Sequence, residues 1–143
     1  MMKRDNCIFC KLANGQIPAN TIYEDEDFRV ILDANPASEG HALILPKEHY
    51  ADIYELDDTL AARLFPLARK MACAMTETLG CDGFNILQNN GEIAGQTVFH
   101  FHMHLIPRYK NAPNNQGFLL WKQRGLSEEE IKAIGEKLAR QIR

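Results

Sequence analysis

The sequence predicts antiparallel strands covered by one long helix, an α+β arrangement, and three patterns carry that reading. Short β-rich segments alternate with turn signals, an apolar period near 3.6 residues runs through residues 57–80, and three histidines take alternate positions in residues 100–107. The early strands follow one another across short loops. That favours a meander over βαβ units, which need long crossovers.

Size and charge narrow the possibilities. At 143 residues the chain is expected to form one domain with a real core, and 45% apolar with 24% charged residues is ordinary globular composition. A net charge of −3 carries no basic stripe, so nucleic acid is not an expected partner. The Met1-Met2-Lys3-Arg4 start lacks the apolar run of a signal peptide, and no stretch approaches the roughly 18 apolar residues of a membrane span. A cytoplasmic location, with no membrane partner, is the expectation. In that reducing setting Cys7, Cys10, Cys73 and Cys81 are expected to be free thiols, the last two as core or bystander residues.

In chain order, residues 7–14 read as a short helix stopped by Gly15. Residues 21–24 and 28–33 are strands around the charged turn Asp25-Glu26-Asp27. A loop built on Asn35, Pro36 and Gly40 leads to a third strand, residues 41–46. Asp57, Asp58 and Thr59 cap a helix to about Gly80, with Leu60, Leu64, Leu67, Ala68, Met71, Met75 and Leu79 on one stripe; Pro66 is its oddity and a potential kink. Residues 84–89 form the fourth strand, and a Gly-punctuated loop through Gly91 and Gly95 feeds the histidine strand. Ser127 and Glu130 form a capping box that starts a last helix.

Along a strand, His100, His102 and His104 share one face while Phe101, Met103 and Leu105 enter a core. On a helix, at roughly 100° per residue, the imidazoles would fan apart. Pro107 is read as closing the strand. Three imidazoles on one sheet face suit a metal site or a phosphate site with a nucleophilic imidazole. The preceding Gly95-Gln96-Thr97 offers an amide, a hydroxyl and backbone N–H groups, which favours the oxyanion. Separately, Cys7-x-x-Cys10 has the spacing of half a zinc site, and His49 and His100 are its candidate completing ligands. Asp33, at a strand end, could accept both hydroxyls of a ribose or serve as a turn carboxylate.

The run His-Phe-His-Met-His-Leu-Ile resembles the signature of the histidine triad (HIT) family of nucleotide-binding hydrolases. Cys-Ile-Phe-Cys-Lys-Leu, Ile-Tyr-Glu-Asp-Glu, Leu-Asp-Ala-Asn-Pro, Gly-His-Ala-Leu-Ile-Leu-Pro-Lys-Glu-His and Asn-Asn-Gly-Glu-Ile-Ala-Gly-Gln-Thr-Val fall in the family's order. The resemblance implies a HIT domain over residues 7–109, with residues 110–143 completing the same domain. It implies a HIT-like α+β fold: a five-stranded antiparallel sheet, one long helix, and short N- and C-terminal helices. It also implies a homodimer joined at sheet edges.

By position, His102 matches the family's nucleophile, which forms a covalent nucleotidyl-histidine, and His100 and His104 match its supporting histidines. Gln96 and Thr97 match contacts to the α-phosphate and leaving group, and Asp33 matches the ribose-binding acid. Ile8, Phe9, Leu12, Ile31 and Leu32 match the purine slot, and Asn89 matches another nucleotide contact. The third triad position is His104 where the nucleotidyltransferase branch resembles His-x-His-x-Gln, so transfer to a sugar phosphate is disfavoured. Cys7, Cys10, His49 and His100 resemble the structural zinc set of bacterial members, one Zn2+ per chain with no organic cofactor. Trp121 resembles a C-terminal tryptophan that shapes the partner subunit's site.

The implied activity is hydrolysis of nucleoside 5′-phosphoramidates or adenylated compounds to release AMP, with a purine nucleotide as the bound ligand. Hydrolysis of a dinucleoside polyphosphate is the alternative on the same residues. A nucleotide- or partner-binding module with incidental hydrolysis is the alternative of a different class.

Overall fold

The computed structural model describes residue 4, residues 6–112 and residues 123–142, so the expectation for Trp121 lies outside the described residues. Strands β1 (Thr21–Glu24), β2 (Phe28–Leu32), β3 (Ala42–Pro46), β4 (Gly83–Leu87) and β5 (Met103–Arg108) form one sheet. All neighbours are antiparallel, in the order β1-β2-β3-β5-β4. The first three strands are the expected meander. β5 then enters between β3 and the edge strand β4, which brings the histidine segment to an interior strand of the sheet.

Helix α2 (Asp58–Leu79) covers one face. Phe28, Val30, Ala42, Ile44, Phe101, Met103 and Leu105 pack there with Leu64, Leu67, Ala68 and Met71. The strand alternation sends their neighbours Ile31, Leu43 and Leu45 to the opposite face, against Ala13, Phe9 and Leu12 of helix α1 (Ile8–Ala13) and its surroundings. The candidate site residues Ile31, His102 and His104 line a cavity on this second side.

The caps of α2 are those expected from the sequence. Asp57 accepts hydrogen bonds from the backbone N–H groups of Thr59 and Leu60, and Gly80 ends the helix at φ 65°. The helix runs from Asp58 to Leu79 without a break, and Pro66 sits on its exposed side. Helix α3 (Glu128–Gln141) opens with the reciprocal Ser127–Glu130 capping box, and none of its residues is buried.

Two details differ from the expected histidine strand. β5 begins at Met103, so His100 and His102 precede the ladder. The β3–β5 register, with Ile44 opposite Met103, would next pair Leu45 with His102 and Pro46 with Phe101. Pro46 has no N–H to give, its carbonyl accepts from His100 Nε2, and the Phe101 N–H turns to the Tyr50 carbonyl instead. Pro107 does not close the strand either: β5 continues through it to Arg108. The β3 ladder has already ended at the Ala42–Leu105 pair, so Pro107 interrupts no bond on that side.

Candidate active site

Helix α1, the connector after it, and the ends of β2 and β5 enclose a cavity of about 600 Å3. Ile8, Phe9 and Leu12 line one side, Ile31, Leu32 and Asp33 another, and Thr97, His102 and His104 the base. Ile8 and Leu32 are 53% and 38% exposed, so apolar surface is left facing a cavity rather than sealed in a core. The Phe9 ring stands edge-on to His102 at 4.9 Å. Asp33 Oδ1 accepts from the Asn35 N–H, which fixes the carboxylate where β2 ends.

Hydrogen bonds assign the protons of the histidines. His102 Nδ1 lies 2.7 Å from the His100 carbonyl oxygen, which can only accept; Nδ1 therefore carries the proton and Nε2 holds a lone pair. At His41, Nδ1 accepts from the Ala37 N–H at 2.9 Å, so the neutral ring is protonated at Nε2. His41 Nε2 lies 2.9 Å from His104 Nδ1 and donates to it, which leaves His104 protonated at Nε2. The cavity base thus presents one imidazole as a lone pair and its neighbour as a donor, with ring centroids 5.1 Å apart. A nucleophile and a hydrogen-bond donor side by side can serve a displacement at phosphorus.

Burial keeps these rings neutral. It lowers His102 and His41 below the usual histidine range, and pushes His104 down to about 4 with help from His102 and His41. A neutral His102 is a nucleophile at neutral pH without prior deprotonation.

His100 faces away from this cavity. Its Nδ1 lies 3.5 Å from Cys7 Sγ and 3.4 Å from Cys10 Sγ, and Cys10 Sγ lies 3.3 Å from His49 Nδ1. The four ligand atoms all fall within 4.8 Å of one another. Zn–S near 2.3 Å and Zn–N near 2.0–2.1 Å on a tetrahedron put sulfur and nitrogen about 3.6 Å apart, close to the separations here. His100 donates from Nε2 to the Pro46 carbonyl at 2.8 Å, which leaves Nδ1 unprotonated and aimed at both sulfurs. Two thiols and two imidazoles suit a zinc ion held in a closed, four-protein-ligand site.

Asp33, His41 and His104 form a second cluster of possible metal ligands. To ligate, His41 Nε2 would have to give up its proton to Nδ1 and lose the Ala37 bond. The cluster is therefore read as a hydrogen-bonded relay.

The structure does not bring every expected residue to the cavity. Gln96 is buried, and its side chain is committed to backbone: it accepts from the Gly91 N–H at 2.8 Å and donates to the carbonyls of Ala51 and Val98. Asn89 lies against Gly95 in the preceding loop and is not among the lining residues. His41 joins this site through His104, and nothing in its local sequence marks it. A strand register pairing residues 43 and 104 would have placed it beside His104.

Comparison with known proteins gives a consistent family. A model of the HIT domain matches residues 14–111. The chain is 42% identical over 140 residues to an adenosine 5′-monophosphoramidase of Schizosaccharomyces pombe, covering 96% of this chain and 99% of that protein. It is 37% identical over 129 residues to an adenylylsulfatase of Arabidopsis thaliana, covering 90% of this chain and 62% of that one. The crystal structure of a HIT family protein from Bacillus anthracis superposes with a TM-score of 0.86 at 42% identity, covering 97% of this chain and 99% of its own. With the histidines of residues 100–104 inside the matched region, the chain belongs to the HIT domain family.

Proposed function

We propose that this protein hydrolyses nucleoside 5′-phosphoramidates or related adenylated compounds, releasing AMP through a covalent nucleotidyl-His102. The observation that carries the reading is the pair of fixed tautomers, a lone pair on His102 Nε2 and an N–H on His104 Nε2, at the base of one cavity. His102 Nε2 attacks phosphorus and the bond to the leaving nitrogen breaks, while His104 Nε2–H hydrogen-bonds that nitrogen. Solvent supplies the proton with which the amine departs. Water then displaces His102 from phosphorus and restores the free imidazole. Asp33 accepts from the ribose, the apolar walls hold the purine, and the Thr97 hydroxyl reaches the phosphate. The relatives named for phosphoramidate and adenylyl sulfate hydrolysis support this class of substrate.

Zinc belongs to the same reading, held by Cys7, Cys10, His49 and His100. When bound, the ion supplies structure: four protein ligands leave no position for substrate. The chain's own residues do the rest, because the His100 backbone carbonyl orients His102. A homodimer is proposed through a sheet edge; β4 is such an edge, and its Ile86 is 40% exposed. Residues 110–143 are proposed to complete the same domain. A cytoplasmic location is proposed because all four cysteines are free; no described helix is long and apolar enough to cross a membrane.

The test is steady-state hydrolysis of adenosine 5′-phosphoramidate by wild type and His102→Ala. AMP release by wild type and a loss of several orders of magnitude in the variant are expected. Near-normal turnover by the variant would remove His102 from its role. If wild type is inactive here but cleaves diadenosine polyphosphates, the substrate class changes and the site stands.

A further inference from the structure

Ile8, Thr97 and Val98 form a wall with a cavity on either side. On one side lies the nucleotide cavity; on the other lies a second space of about 320 Å3 that shares these three residues. Arg4, Asn6 and Phe99 are among the residues completing the second space. A substrate whose phosphorus sits over His102 beside Thr97 has two arms. If the nucleoside occupies the first cavity, the other substituent has the second within reach across the Thr97 wall.

Among the described residues, the lining of this second space includes Arg4 and no carboxylate. Cys7 and His49 also line it, and with a divalent ion bound the two thiolates of their cluster would sum with it to zero. Arg4 is placed by backbone bonds rather than by its side chain: its N–H donates to Cys10 Sγ at 3.4 Å, and its carbonyl accepts from the Cys7 N–H at 3.1 Å. Among the described residues no carboxylate is paired with its guanidinium. Phe99, 48% exposed, adds an apolar wall along which a short alkyl linker can lie.

The geometry points to the second cavity as the seat of the substrate's leaving arm, with Arg4 selecting an amine that carries a carboxylate. This inference rests on the phosphoramidate reading above and names the leaving-group class within it. A guanidinium fork suits a carboxylate, which can accept two parallel hydrogen bonds from it. The side chain is exposed, so screening keeps the preference modest.

The test compares kcat/KM on two AMP phosphoramidates, one of an ω-amino acid and one of its carboxamide counterpart. Wild type is expected to favour the carboxylate by about fivefold, the scale of an exposed ion pair. Arg4→Ala brings the ratio near one, Arg4→Lys keeps much of it, and Arg4→Glu inverts it. Salt near 1 M, where the Debye length is about 3 Å, removes the wild-type preference. A wild-type ratio of one with both compounds hydrolysed overturns the inference and leaves the phosphoramidate reading standing, as does a ratio indifferent to Arg4→Glu. If wild type hydrolyses neither compound, the phosphoramidate reading itself fails and this inference falls with it.

Discussion

His41 Nε2 lies 2.9 Å from His104 Nδ1, across the β3–β5 boundary, and the Ala37 N–H on the far side of His41 fixes which ring donates. Through that contact a residue outside the triad decides the tautomer of one inside it.

Two substitutions at His41 separate this role from simple packing. Gln can extend an amide N–H toward His104 Nδ1. Asn is too short for that, but keeps an oxygen for the Ala37 N–H. His41→Asn is expected to lower kcat by about a hundredfold, within the usual range for acid–base contributions, with a smaller change in KM. His41→Gln should retain more activity. Steady-state kinetics on an AMP phosphoramidate reads both, and equal or reversed activities would refute the relay.

Metal removal should act at two distances. The cluster ties the start of α1 to His49 and His100, and His100 in turn holds His102 through its carbonyl. One zinc per chain is expected by metal analysis. A ligand present at a thousand times its dissociation constant adds about 4 kcal/mol, so chelation should lower Tm on the order of 10 °C. Turnover should fall as well to the extent that His100 shifts, because its carbonyl holds the His102 ring. Purified protein without zinc, or a Tm unmoved when the zinc is removed, would dismiss the assignment.

Asp33 should set the sugar preference. Its Oδ1 is held by the Asn35 N–H, and the carboxylate lies on the cavity wall. A carboxylate placed to accept ribose hydroxyls discriminates against a substrate lacking one, because an unpaired partner is left behind. Wild type should favour a ribonucleotide over its 2′-deoxy counterpart by about tenfold or more in kcat/KM. Asp33→Ala should compress that ratio toward one, mainly by weakening the ribonucleotide. An unchanged ratio would mean that Asp33 does not touch the sugar.

Local patterns made part of this site readable. Phe101, Met103 and Leu105 face the α2 core because a two-residue period leaves them no other side, and Asp57 and Gly80 bound α2 as cap chemistry requires. The Cys7–Cys10 spacing marks half of a cluster, completed by His49 and His100, that could hold a metal ion. What stayed hidden depends on long-range register and on backbone demand. His41 meets a partner 63 positions away, and nothing local to it signals that meeting. The Gln96 side chain meets the Gly91 N–H and the Ala51 carbonyl, backbone groups whose demand no local pattern announces. The start of β5 was likewise decided in another strand, by Pro46.

The loop before His41 depends on a glycine. Gly40 sits at φ 89°, where L side chains are disfavoured, and a Cβ there would come 2.5 Å from Leu79 Cδ1. Gly40→Ala is expected to cost about 1–3 kcal/mol, from the backbone and from displacing Leu79 at the end of α2. Urea unfolding would show it as a lower midpoint with an unchanged slope. A midpoint equal to wild type would mean the loop has another conformation.

Acid should destabilise the protein before its carboxylates are protonated. Burial pushes His100 and His104 down to about 4 and lowers His41, His49 and His102. In the unfolded chain each binds its proton near pH 6.5, while the folded chain resists. Between those values the unfolded state holds more protons, so stability rises with pH there. The full contribution is present above about pH 6.5 and is lost progressively as pH falls toward about 4, reaching on the order of several kcal/mol. Urea midpoints of metal-free protein at constant ionic strength, between pH 7 and pH 4.5, would measure it without the separate effect of zinc release. A falling midpoint through that window is expected. A flat one would mean the histidines take up protons as readily in the folded protein as outside it, and the neutral His102 on which the proposed displacement depends would have to be abandoned.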